Sequence, residues 1–291
     1  MRLVVPGVLA VEVWDLPVGG KLLQEWRADP SFAQRLATVV RAIRDDPPTT
    51  FSAEARTAAS RIARVHLVGG AVDDALCDAI AEHLPCTSTR DPFAAARAGT
   101  TLVPGAACAD VGQSAIKLVD GETPANGATE GRRDSIDGPR TRRVERDRSL
   151  APPRDSIAGS WLPTLPRGLV RTSTVRWLAS LLAELRAAHI VVGLPCELVA
   201  GVPRSCSYCW PDPDPALVSD LARYSGKTLS VLNDAELGAV VAMQAGAPPD
   251  TLVLTIGFGV GGALIVTPHR PAAVLRGPAT PDLAITSSRR G

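Results

Sequence analysis

The chain has 291 residues, of which 45% are hydrophobic and 21% charged, with a formal net charge of +1. That length can bury one large core or two ordinary ones. The balanced charge argues against nucleic acid as a partner, and no apolar run approaches the roughly 20 residues that cross a bilayer, which argues against a membrane. The opening MRLVVP lacks the layout of a secretion signal. Six scattered cysteines (77, 86, 108, 196, 206 and 209) read as reduced thiols of a cytoplasmic protein rather than a disulfide framework. Cys206 and Cys209 form a C-x-x-C, but no second pair or His pair stands beside them, which argues against zinc.

Residues 1–20 alternate short apolar runs with Gly and Pro, as strands and turns do. Residues 22–44 place apolar side chains at helical spacing, interrupted near Asp29 and Pro30. Residues 52–64 open like a capped helix with Ser52 and Glu54. VHLVGG at 65–70 is a short buried strand ending in Gly69 and Gly70. Helices are expected over 71–84 and over 91–99, the second ended by Gly99. Residues 106–120 read strand, turn, strand. Residues 121–160 are rich in Gly, Pro, Ser, Arg and Asp and read as a mobile, solvated insertion; the interleaved acids weigh against a nucleic-acid arm. A helix over 170–188, a strand over 189–195, a helix over 214–225, a strand over 228–232, a helix over 235–245 and a strand over 251–256 follow. The alternation makes the chain α/β.

TIGFGVGGALI at 255–265 satisfies G-x-G-x-x-G, but the segment after it reads as a strand. A dinucleotide turn needs a helix there, because the pyrophosphate sits on a helix N-terminus. The stretch is therefore a glycine hairpin whose backbone amides can approach an anion. Two more glycine turns follow strands, at 110–114 (DVGQS) and at Gly69–Gly70, and Asp234 ends a fourth strand. Together they have the parts that ATP chemistry needs. Two hairpins can cradle phosphates, an acid beside the first can hold Mg²⁺, and a separate carboxylate can take a hydroxyl proton. Bland alternatives stand beside each. Asp234 could cap the helix that begins at 235, Asp110 could be a turn residue, Glu12 and Asp15 could be solvated, and Lys117 could sit at a sheet edge. His66, His83, His189 and His269 show no metal spacing.

At these residues the chain resembles the ROK family of sugar kinases, within the actin-like ATPase superfamily. DVGQSAIK at 110–117 resembles the first phosphate motif, D-x-G-G-T-x-x-K. GLP at 193–195 resembles G-x-P-G, VLNDA at 231–235 resembles E-N-D-A, and TIGFGVGG at 255–262 resembles the second phosphate motif, T-x-G-T-G-x-G-G. The resemblance implies ATP and Mg²⁺ as cofactors and Asp234 as general base. It places phosphate and nucleotide contacts at Asp110, Gly112, Gln113, Ser114, Lys117, Gly257, Phe258, Gly259, Gly261, Gly69 and Gly70. It implies Asp110 as the Mg²⁺ ligand, directly or through water, and a sugar-like substrate held by Asn233, Asp234, Glu12, Asp15 and Gln24. It also implies a homodimer.

The motif order departs from the family. AVEVWDLPVG at 10–19 resembles the sugar-binding A-G-E-x-G-H-x-P-V, which ordinarily follows the second phosphate motif. Residues 65–70 and 91–99 have the character of the family's C-terminal elements, yet precede the first phosphate motif. The expectation is a two-lobed actin-like ATPase (ribonuclease H-like) fold, circularly permuted, with new termini after residue 277. Residues 1–104 and 236–291 would form the large lobe. Residues 105–235 would form the small lobe, with 121–160 as an insertion. Gln113 and Ser114 replace Gly and Thr, Phe258 replaces Thr, Asp15 replaces the sugar-binding His, and the zinc motif is absent. The first functional reading is an ATP-dependent kinase of a sugar, amino sugar or cyclitol. The second is a catalytically degenerate relative that binds sugar or nucleotide as a sensor or partner. A structural actin-like or acyl-CoA-linked ATPase is a third.

Overall fold

The computed structural model describes residues 1–11, 31–49, 51–112, 115–121, 140–145, 167–204, 214–257 and 260–267. In chain order the elements are β1 (Val8–Val11), α1 (Phe32–Asp45), α2 (Ala53–Ala59), β2 (Arg64–Val68), α3 (Asp74–Ala81), β3 (Cys86–Thr89) and α4 (Ala94–Thr100). Then come β4 (Ala107–Val111), β5 (Ala115–Val119), β6 (Thr141–Glu145), α5 (Arg167–Ala183), β7 (His189–Leu194), β8 (Glu197–Val199) and β9 (Val202–Arg204). The last are α6 (Leu217–Ser225), β10 (Thr228–Asn233), α7 (Asp234–Gln244), β11 (Thr251–Ile256) and β12 (Val260–Ile265).

Two five-stranded sheets are built to one plan. The first has the order β1-β12-β11-β2-β3 and the second β6-β5-β4-β7-β10. In the second, β4, β5 and β6 form an antiparallel meander, and β7 and β10 add in parallel beside β4. In the first, β11, β12 and β1 form the meander, and β2 and β3 add in parallel beside β11. The third strand of that meander thus comes from the far end of the sequence: Val8 lies opposite Ile265 and Val11 opposite Gly262.

Side-chain alternation along each strand sorts residues into three apolar layers. Outside the first sheet, Val65, Leu67, Leu252 and Leu254 pack on α1, α2 and α3. Outside the second, Ala107, Ala109, Ile190 and Val192 pack with Leu178 and Leu182 of α5 and Leu217 and Leu221 of α6. The inner faces, with Val68, Cys108, Val191, Leu232, Val253 and Ala263, meet α4 and α7 between the sheets. Small side chains make that layer thin. A Cβ on Gly99 would stand 2.2 Å from Cys108 Sγ, and one on Gly238 would stand 2.4 Å from Thr255 Cγ2. Each inner helix joins a parallel edge strand of one sheet to the first meander strand of the other: β3 to β4 through α4, and β10 to β11 through α7.

Several sequence expectations need correction. Gly99 does not end its helix; it lies inside α4, where Cys108 and Leu237 leave no room for a side chain. Residues 121–160 are not wholly a solvated insertion, because Thr141–Glu145 forms β6 and pairs with β5 from Ala115 to Val119. Its exposed residues fit an edge strand, and Arg142 pairs with Glu184. Lys117 is not at a sheet edge, since β5 runs between β4 and β6. Strand β3 and the β8–β9 hairpin went unpredicted.

Candidate functional site

The site begins at the ends of the meander hairpins. Asp110 is in strand β4, not in a turn, and lies opposite Lys117 of β5. Their even spacing from Cys108 and Val119 puts both on the inner face. Asp110 is buried, and Lys117 Nζ donates to its Oδ2 at 2.8 Å. Gly112 follows at the strand end and donates its amide to Ala115 O at 3.0 Å. A Cβ there would stand 2.7 Å from that carbonyl and 3.5 Å from Lys117 Nζ. The turn therefore needs glycine, which lets the backbone pass close to both the Ala115 carbonyl and the Lys117 ammonium.

The second hairpin occupies the corresponding place in the first sheet. Thr255 of β11 lies opposite Gly261 of β12. A Cβ on Gly261 would stand 2.4 Å from Thr255 Oγ1 and 3.5 Å from Asp234 Oδ1. Gly69, at φ 135°, accepts no Cβ either, because Ile256 O would lie 2.3 Å from it. Gly69 donates its amide to Thr89 O of β3, and its closeness to Ile256 sets the Gly69–Gly70 turn beside the entry to the second hairpin.

Asp234 stands where the two sheets' inner faces meet. It is the first residue of α7, and the capping reading is overturned: Asn233 is the cap. Asn233 Oδ1 accepts from the Ala235 amide at 2.8 Å, and the Glu236 carboxylate accepts from the Asn233 amide at 2.8 Å. This capping box satisfies amides that the helix start would otherwise leave bare. Arg2 clamps Glu236 through two bonds of 2.6 and 2.5 Å, and Asn233 Nδ2 donates to Cys196 O at 2.8 Å. The side chain of Asn233, expected to hold sugar, is thus engaged in holding the helix start. Asp234 is not the cap residue, although its carboxyl also faces the amides of the helix start.

Burial raises the Asp234 carboxyl to about 7, and the charge of Asp110 adds to the effect. The Ala235 amide, the Lys117 ammonium and its own amide work the other way without prevailing. The positive end of a helix also favours the carboxylate, but by only about 1 kcal/mol. Asp234 keeps partial access to solvent. A carboxyl that gains and loses its proton near neutral pH is suited to general-base chemistry.

The described residues thus bring together Asp110, Gly112, Lys117, Asp234 and Gly261, with Gly69, Gly70 and Gly257 at adjoining strand ends. Glu12, Asp15, Gln24, Gln113, Ser114, Phe258 and Gly259 lie outside the described residues, as do Cys206 and Cys209. Thr255, Glu236 and Arg2 were missed as members of the site. Glu236 carried a signal, since Asn233 with Glu three residues on is a capping box. Arg2 carried none, because only the fold brings it to α7. His66 and His189 bond to threonine and serine hydroxyls and hold structure. Comparison with protein-family models, curated proteins and solved structures gave no match.

Proposed function

We propose that this chain is an ATP- and Mg²⁺-dependent phosphotransferase acting on a hydroxyl of a sugar, amino sugar or cyclitol. The observation that carries the reading is Asp234, a carboxyl raised to about 7 at the start of α7, set beside Gly261 of the second hairpin, where a Cβ would stand 3.5 Å from its Oδ1. The topology supports it. Two sheets of one plan, joined by two inner helices and closed by a β1 that follows β12 in space, fit a circularly permuted actin-like ATPase. A homodimer and a cytoplasmic setting belong to the same proposal.

The residues fit the cofactors. Gly112 and Gly261 shape the two hairpin ends that would face phosphate, and Lys117 offers an ammonium beside Gly112. Asp110, on the inner face beside that turn, would hold Mg²⁺ with phosphate and water completing its shell. Bound ATP would supply the phosphoryl group. Asp234 would accept the proton from the attacking hydroxyl, and the capping box fixes the carboxylate's place at the helix start.

The Asp110–Lys117 pair favours a second reading. A carboxylate already neutralised by an ammonium is less free for a cation, which fits a sensor that binds nucleotide or sugar without turnover. The test is ADP release from Mg-ATP over a panel of hexoses, amino sugars and cyclitols, with Asp234→Asn as control. Acceptor-dependent ADP that is lost by at least about 100-fold in the variant is expected for a general base. ATP binding with no ADP release would favour the sensor. No ATP binding would overturn the phosphotransferase and the nucleotide sensor, leaving only a sugar-binding sensor.

A further inference from the structure

Outside this site, two cysteine side chains meet at the rim of the first sheet. Cys77 is on α3 and Cys86 on β3, the sheet's outermost strand. The two thiols are close enough to interact, and both are half-buried free cysteines at the margin of the outer apolar layer. Arg90, just past β3, bonds to Asp74 in the first turn of α3 and lies beside the Cys77 sulfur. The two cysteines therefore lie close together, within reach of solvent, beside a guanidinium. Cys108 and Cys196 differ in being fully buried.

We propose that Cys77 and Cys86 are a reversible oxidation site that closes a disulfide between α3 and β3. The reaction partner is a low-molecular-weight disulfide. The Cys77 sulfur, next to the Arg90 guanidinium, attacks one sulfur of the reagent, forming a mixed disulfide and releasing one thiolate, which takes up the Cys77 proton. Cys86 then attacks the Cys77 sulfur of the mixed disulfide. The protein S–S bond forms, the mixed S–S bond breaks, and the second small thiol leaves with the Cys86 proton. Two electrons pass to the reagent, which ends as two thiols. Cys86 is the slower partner at first: burial and the neighbouring Cys77 sulfur push its thiol up to about 12.

The bond would close a loop holding the end of α3 and the turn into β3, so its main effect is on the unfolded chain. It would also tie down α3, which follows the Gly69–Gly70 turn, and β3, which leads into α4.

The test treats the native chain with oxidised glutathione and reads intact mass, a non-reducing peptide map and the melting curve. The expected product is lighter by two hydrogen atoms, contains a peptide linking Cys77 to Cys86, and melts roughly 5 °C higher. Dithiothreitol should reverse all three changes. Cys77→Ser and Cys86→Ser should each abolish the cross-link. The map separates this bond from one between Cys206 and Cys209, and a Cys206→Ser/Cys209→Ser background repeats the melting measurement without that pair. Recovery of Cys77 and Cys86 as free thiols, or as two separate glutathione adducts, would overturn the proposal. Neither result bears on ADP release, so this test stands apart from the phosphotransferase reading.

Discussion

Asp234 is the residue on which chemistry and stability make opposite demands. Its carboxyl ionises near 3.8 in ordinary surroundings and near 7 in the fold. Below pH 3.8 both states hold the proton, and the fold bears no penalty. Between 3.8 and 7 the unfolded chain is ionised while the fold retains the proton, so stability falls as pH rises. Above 7 the full penalty is present. A tenfold change in an ionisation constant equals about 1.4 kcal/mol, and Asp234 keeps some access to water. Removing the charge with Asp234→Asn should therefore raise the melting temperature at pH 8 by about 5 °C, equivalent to about 2 kcal/mol. The gap should close as the pH falls toward 4. Melting curves of both proteins across that range check it, and a gap that widens in acid would contradict the assignment. A group that destabilises its own fold when ionised fits a retained functional role better than a structural one.

At the scale of elements, the inner helices explain both what the sequence shows and what it hides. Gly99 illustrates the difference. In sequence it looks like a helix stop, because glycine at a helix end relieves backbone strain. In the fold it lies inside α4 because Cys108 and Leu237 press against it. Cys108 is fully buried and has nowhere to move. Gly99→Ala should improve intrinsic helix propensity by about 1 kcal/mol and still destabilise the protein by about 2 kcal/mol net, through overpacking. Urea unfolding would measure the change; a more stable variant would show that α4 stands farther from β4. The same reasoning separates the legible elements from the hidden ones. Strands β2, β7, β10 and β11 were legible because both faces are buried and their sequences are mostly apolar, with His66 the polar exception inside β2 and Ser230 inside β10. Strand β3, with CTST at a sheet edge, and β6, with TRRVE, carry no such signal, and only their partners make them strands. The Asp110 and Gly261 motifs were legible because backbone geometry demands glycine there. The Arg2–Glu236 clamp was hidden because it spans most of the chain.

For the whole molecule, chain order and spatial order disagree in one place. The second sheet is assembled from one continuous stretch, residues 107–233, whereas the first takes β1, β2 and β3 from before that stretch and β11 and β12 from after it. The loop before β4 is the natural place to reopen the chain, because Pro104 and Gly105 are exposed and a Cβ on Gly105 would touch nothing. A permutant that begins at Gly105 and joins Gly291 to Met1 would make each sheet from one unbroken segment. It keeps every strand pairing, so it should fold with the same circular dichroism spectrum and melt within about 5 °C of the parent. It would also turn the β12-to-β1 pairing from a long-range closure into a connection between consecutive strands. Forming that contact then requires less loop-closure entropy, and refolding should accelerate. Stopped-flow refolding of the two chains side by side reads this directly. A permutant that fails to fold, or refolds no faster, would show that β1 is not held as the third strand of that meander and would remove the topological support for an actin-like plan.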